Sequence, residues 1–253
     1  MYPIRTEGAS EEFAECWIFA GKYINLYYES QFKKITSQLK GSDEIQFFKE
    51  DRAKHINWLR DHLSPPFIEH LSFIFGNQIF FIQLYDVDRI LETPNNNIPG
   101  LISLAREANA IPCLLPMKKV SNEWQPQGKN WCLVDPLTNN EISPEKLITN
   151  EEIEMSDWEI QDISVTEVKN KLERDGKKIM SFCSDRDIDP SIWFYDEIGS
   201  YYVVIRSGKY PKVDLPMPSN IEKIKNTSES YGVTQTSFKS PSKGYFVSVI
   251  VAN

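Results

Sequence analysis

Residues 198–206 read Ile198-Gly199-Ser200-Tyr201-Tyr202-Val203-Val204-Ile205-Arg206. A turn residue opens directly into aromatic and β-branched side chains, the types that fit a pleated, packed surface. Reading outward from this strand (Tyr201–Arg206) gives the order of the whole C-terminal half. Upstream lie a turn at Asp196–Gly199, a strand at Ser191–Tyr195, a strand at Lys178–Cys183 and a helix at Asp157–Arg174. In that helix Ile160, Ile163, Val168 and Leu172 recur at helical spacing, and Gly176 supplies the stop. Downstream lie a helix at Asn220–Ser230, capped by Ser219, and a strand at Tyr245–Ala252. The predicted order is α-β-β-β-α-β.

The N-terminal half carries a similar phrase, Phe75-Gly76-Asn77-Gln78-Ile79-Phe80-Phe81-Ile82-Gln83-Leu84, again followed by a helix and an apolar strand. Leu71–Phe75 and Ile79–Tyr85 read as two strands joined at Gly76-Asn77. Ile79–Ile82 is apolar on both faces and so belongs in the middle of a covered sheet. Before them, Ser10 and the acids after it open a helix over 11–40 that stops at Gly41, and a second helix is expected from Asp43 to Leu63, ended by Pro65 and Pro66. After them come a turn-rich stretch at Thr93–Gly100, a helix at Leu101–Ala108 and a strand at Ile111–Met117, whose Pro112 and Pro116 point to an edge or bulged position. Residues 121–156 read as a polar connector holding one strand (Trp131–Val134), turns at Asp135-Pro136 and Asn139-Asn140, and one helical turn opened by Pro144. The expected class is α/β with α+β mixed sheets: a helical N-terminal segment and an α/β module over 1–155, then a second α/β module over 156–253.

Composition narrows the function. The chain has 253 residues, 41% hydrophobic and 12% aromatic, enough for a packed core. Its net charge of -8 disfavours a whole-surface nucleic-acid footprint. There is no apolar leader after Met1 and no run long enough to span a bilayer, so a soluble cytoplasmic protein with no membrane partner is expected. Cys16, Cys113, Cys132 and Cys183 lack paired spacing and sit beside apolar neighbours, as buried thiols do. The acids Glu151, Glu152 and Glu154 read as a solvated face.

The α-β-β-β-α-β order, with Asp187-Ile188-Asp189-Pro190 before the second strand, resembles the PD-(D/E)XK, restriction-endonuclease-like superfamily over about residues 157–253. That resemblance implies an Asp near the second strand and an acid-x-Lys on the third, converging on magnesium for phosphodiester cleavage. Asp189 maps to the Asp, with Asp187 as second choice, and Glu167 to an accessory acid on the first helix. The third strand departs from the pattern. With Arg206 in the lysine position, Val204 replaces the carboxylate; with Lys209 there, Ser207 does. A valine cannot hold Mg²⁺, so the resemblance implies a degenerate site.

No other constellation is complete. His55 and His62 are seven apart, not the four of a helical metal pair, and His70 supplies no recognisable third ligand. No glycine-rich phosphate loop and no nucleophile elbow occurs. The segment Ser207–Ser219, with Lys209, Tyr210, Lys212 and three prolines, has the composition of a recognition loop. The expectation is a non-catalytic protein-interaction or regulatory protein with an unidentified protein partner and no cofactor. The alternative is a nucleic-acid binder or Mg²⁺-dependent nuclease on the degenerate frame.

Overall fold

The structure is a computed structural model. It describes residues 10–38, 57–60, 69–91, 98–149, 151–184, 186, 188–211, 214–235 and 240–251. The chain divides into two compact units, Met1–Glu154 and Met155–Asn253. Each is an α+β arrangement around a mixed sheet.

In the first unit, α1 (Glu11–Gln38) starts where Ser10 Oγ accepts the Phe13 amide at 3.1 Å, relieving one unpaired donor of the first turn. Strands β1 (Asn57–Arg60), β2 (Glu69–Phe75) and β3 (Gln78–Asp86) pair antiparallel in turn. Helix α2 (Ile98–Glu107) then carries the chain over to β4 (Ile111–Val120), parallel to β3. Three short strands follow, β5 (Glu123–Pro126), β6 (Leu133–Val134) and β7 (Glu141–Ile142), with a single 3-10 turn at Pro144–Lys146. Cys16, Ala20, Ile24 and Tyr28 of α1 pack on Phe73, Phe75, Phe80, Ile82, Leu115 and Met117, one face of β2 to β4. Helix α2 lies against β3 and β4 through Leu101 and Ala105, which take no part in that cluster.

The second unit repeats the order. Helix α3 (Asp157–Arg174) begins in a capping box: Ser156 Oγ accepts from the Glu159 amide at 3.2 Å, and Glu159 Oε2 from the Ser156 amide at 2.9 Å. Strands β8 (Lys178–Phe182), β9 (Ile192–Tyr195) and β10 (Ser200–Lys209) pair antiparallel. Helix α4 (Ile221–Gln235) leads to β11 (Lys243–Val251), parallel to β10. The strand order is β11-β10-β9-β8. Tyr201, Val203 and Ile205 pack with Val165, Val168 and Leu172 of α3, while Tyr202 and Val204 pack with Ile221 and Ile224 of α4. The period-two alternation of β10 therefore divides its apolar run between two helices on opposite faces.

Several expectations need correction. Asn57–Arg60 was expected inside a helix and is extended on β2; the rest of 43–63, with Gly41, Pro65, Pro66, His55 and His62, lies outside the described residues, as do the side chain of His70 and residues 93–97. Helix α2 starts at Ile98, inside the expected turn, with Pro99 tolerated in its first turn. Strand β4 is interior, not an edge. The carbonyl of Met117 accepts from Val87 beside β3, while that of Pro116 accepts from Gln127 on the other side. A residue's N–H shares the side of its C=O, so Pro116, and Pro112 four residues earlier, turn their missing donors away from β3. There β4 meets only Val134 of β6 and, from Met117 on, β5.

The expected connector at 121–156 holds a hairpin that its polarity hid. Ser121 and Asn122 at φ +50° and +71° make the two-residue loop between β4 and β5. Trp131-Cys132 is a turn rather than strand: Cys132 sits at φ +56° and its amide bonds the Lys129 carbonyl at 2.9 Å. The expected Gly76-Asn77 turn is present, with Gly76 at φ +60° and Ile148 only 2.7 Å from where a Cβ would stand.

Candidate functional site

The C-terminal end of β10 collects polar groups that a strand-and-helix core has no packing reason to bury. The β8–β9 loop meets this end, because Ile192 pairs with both Val203 and Phe182. Gln161, Ser164, Ser184, Ser191 and Ser207 are all buried here. Gln161 Nε2 donates to the Ile205 carbonyl at 3.1 Å, and Ser207 Oγ donates to Gln161 Oε1 at 2.6 Å. Ser191 Oγ accepts from the Ile205 amide at 3.1 Å. Burying such groups is tolerable only when each is satisfied; Ser164 completes its bonding locally, its Oγ donating to the Ile160 carbonyl at 2.6 Å.

Two of the residues mapped from the family resemblance come together at this end. Arg206 donates from Nη1 to Asp189 Oδ1 at 2.9 Å and from Nη2 to Asp189 Oδ2 at 2.5 Å, a two-pronged ion pair whose side chains are 18% and 7% exposed. Each carboxylate oxygen thereby accepts from the guanidinium. Val204, at the position where the family carries its second acid, is fully buried among Tyr202, Ile224 and their neighbours. Glu167 does not join them: it is exposed on α3, whose face of β10 carries Tyr201, Val203 and Ile205, whereas Arg206 shares the parity of Tyr202 and Val204. Lys209 ends β10, partly buried, and Asp187 lies outside the described residues.

A second acid sits on the α3 side of the cluster. Asp162 accepts from Ser184 Oγ at 2.6 Å, and burial pushes its carboxyl above the ordinary value despite that bond. Among the described residues, no group of three or more His, Cys, Asp or Glu is placed to hold a metal ion. Burial raises the thiols of Cys16, Cys113 and Cys132, which keeps them protonated and unreactive.

Sequence reasoning missed Gln161, Asp162, Ser184, Ser191 and Ser207 as a group, although two signals were present. Extending the buried stripe Val165, Val168, Leu172 back one turn lands on Gln161. The expected Ile163 is about 200° round from Gln161 and is exposed. Likewise Ser207 continues the Tyr201, Val203, Ile205 alternation on the α3 face.

Residues 158–253 match a family described as Domain of unknown function (DUF8840). The match covers less than half of the chain and runs from the first turn of α3 through β11. No curated protein and no solved structure matches the chain.

Beyond the ion pair, Ser207–Lys209 continue β10 instead of opening the expected loop, and the chain leaves the strand only at Tyr210. Leu215 packs back onto Gly208, its Cδ2 only 2.8 Å from where a Cβ would stand, so glycine is what lets the loop lie down on the strand. Around that anchor, Tyr210 is 65% and Met217 60% exposed, with Pro211 and Pro216 also exposed; Lys212 and Val213 lie outside the described residues.

Proposed function

We propose that this is a non-catalytic protein-interaction or regulatory protein of the cytoplasm, recognising a protein partner through the loop Tyr210–Pro218. The observation that carries the reading is the closure of Asp189 on Arg206 beside a buried Val204. The guanidinium lying on both Asp189 oxygens sets a positive charge where a divalent ion would have to sit, and no acid stands two residues before Arg206 to supply a second ligand. What faces solvent at this end is an anchored aromatic and a methionine, side chains that bury area at an interface with little loss of freedom or adapt to a partner's shape. That no helix among the described residues is long and apolar enough to cross a membrane accords with this placement.

The second reading, nucleic-acid handling on a degenerate PD-(D/E)XK-like frame with Mg²⁺ as its cofactor, draws on one observation: Asp189 and Arg206 do lie side by side. One pair of assays separates the two. The purified chain is incubated with single- and double-stranded DNA and RNA in Mg²⁺ or Mn²⁺, beside Asp189→Ala, and proteins co-purifying from its own cells are quantified for the native chain and for Tyr210→Ala/Met217→Ala. The expected result is no cleavage and a partner lost from the double variant. Metal-dependent cleavage abolished by Asp189→Ala overturns the reading.

A further inference from the structure

We propose that β11 is a self-association strand, through which two copies of the chain join their second-unit sheets edge to edge. A sheet edge exposes a row of unpaired amides and carbonyls, and proteins blunt such edges with short strands, lysines, prolines or bulges. The other edge strands here follow that rule. Among the described residues, strand β7 has two residues, β5 four and β8 five. Strand β8 also opens on Lys178 and is irregular between Ile179 and Ser181. Strand β11 has nine residues, Lys243-Gly-Tyr-Phe-Val-Ser-Val-Ile-Val251, with no proline, one charge at its first position and an unbroken register along β10.

The first unit shows what such an edge receives. Strand β4 holds the place in that unit that β11 holds in the second: last in the order, after the crossover helix, parallel to its neighbour. The far side of β4 is occupied by antiparallel strands β5 and β6. The far side of β11 has no backbone partner among the described residues.

The sequence of β11 suits its own copy. Val251 O accepts from Tyr210 N at the β10 side, so odd-numbered residues bond inward and Gly244, Phe246, Ser248 and Ile250 present their backbone groups outward. In an antiparallel pairing centred on Val247, Phe246 faces Ser248 and Gly244 faces Ile250 in hydrogen-bonded pairs. Tyr245 faces Val249, an aromatic–β-branched pair, on the side where Val249 already packs toward α3. Lys243 of one copy falls opposite Val251 of the other, so no like charges meet. Tyr245, half-exposed although it stacks near Phe194 and Tyr201, would be covered. The proposal uses only the edge of β11 and is independent of the loop.

The test is sedimentation of the full chain across a concentration series, with Ser248→Pro and Ser248→Lys. Ser248 is exposed and bonds outward, so a proline there removes a donor the β10 ladder does not use. The native chain is expected to sediment as a concentration-dependent dimer, and each variant to weaken dimerisation by at least about tenfold with an unchanged circular dichroism spectrum. If proline disturbs the fold, the lysine variant decides. A native chain that stays monomeric at every concentration, or a dimer undiminished by a folded variant, overturns the proposal.

Discussion

Both units run helix, three antiparallel strands, crossover helix and a parallel fourth strand, with a helix on each face of the sheet, yet they consolidate that frame by different means. The first unit fills the space under α1 with aromatic rings, two of them, Trp124 and Trp131, from the segment added after β4. Trp131 stacks on Phe73 at 5.3 Å and meets Phe75, Tyr27 and Tyr28 edge-on, while its Nε1 donates to Glu145 at 2.6 Å. Trp124 Nε1 donates at 2.8 Å to Glu12 on α1, which also accepts from Lys119. In the second unit α3 rests on Phe194, Tyr201, Val203 and Ile205, and the polar cluster at the end of β10 adds hydrogen bonds from Gln161 to that strand. Both units bury apolar surface under their first helix, but the first adds tryptophans with their hydrogen bonds to acids and the second adds a buried polar cluster. The two solutions should fail differently: removing a ring costs packing in proportion to its volume, whereas removing one polar partner strands the other.

The largest effect is expected in the first unit. Trp131→Ala removes the ring that Phe73, Phe75 and the α1 tyrosines share and leaves Glu145 without its donor, at a cost of about 3–5 kcal/mol. Denaturant titration followed by circular dichroism should show loss of first-unit structure. A cost below about 1 kcal/mol would mean that the appended segment is dispensable and the contrast mistaken.

Next comes the ion pair. Arg206→Met leaves the Asp189 carboxylate largely buried without its cation and should cost about 3 kcal/mol, while Asp189→Leu/Arg206→Met should recover most of it, because neither charge then needs a partner. The comparison is sharpened by the double-mutant cycle from the same titrations. A double variant as unstable as the single one would show that the pair supplies shape rather than charge balance.

The difference between the units also explains what was readable from the amino-acid string. Local signals fixed α1, through Ser10 and the acids after it, and α3, through a helical stripe ended at Gly176, and fixed β3 and β10, because runs such as Phe80-Phe81-Ile82 and Val203-Val204-Ile205 admit few alternatives. Non-local pairing was silent. Asn57–Arg60 has no strand signature of its own and is extended because β2 offers a ladder, and Ser121-Asn122 joins a hairpin only because both adopt left-handed backbone. At the candidate site, Asp189 and Arg206 were nominated from a motif, but that they close on one another depends on how the β8–β9 loop returns over β10, seventeen residues away. Gln161 and Ser207 were legible by periodicity alone and were passed over in favour of apolar positions.

The smallest effect, and the most diagnostic of a core braced by polar groups, concerns the two acids of the second unit that titrate in opposite directions. Asp196 is drawn down to about 2 chiefly by the Lys177 ammonium at 2.6 Å, helped by the Ile198 and Gly199 amides. A lowered acid stabilises the fold above its ordinary value near 3.8 and loses that contribution as the pH falls toward 2. Asp162 does the reverse. Burial raises its carboxyl, so its favourable protonated state is complete below its ordinary value of 3.8, and the contribution drains away as the pH rises through the higher folded value. Asp162→Asn keeps an oxygen for the Ser184 hydroxyl but carries no charge to desolvate. Stability measured by denaturant at successive pH values should therefore differ between native and variant by a constant below pH 3.8. Above it the native chain should lose ground, leaving the asparagine protein the more stable at neutral pH. Added salt should shrink the Asp196 slope, since that pair meets solvent, and leave the Asp162 slope in place. If the asparagine chain is instead the weaker at neutral pH, and the two profiles run parallel, Asp162 works as a buried carboxylate anchoring Ser184, and the second unit depends on its charge rather than tolerating it.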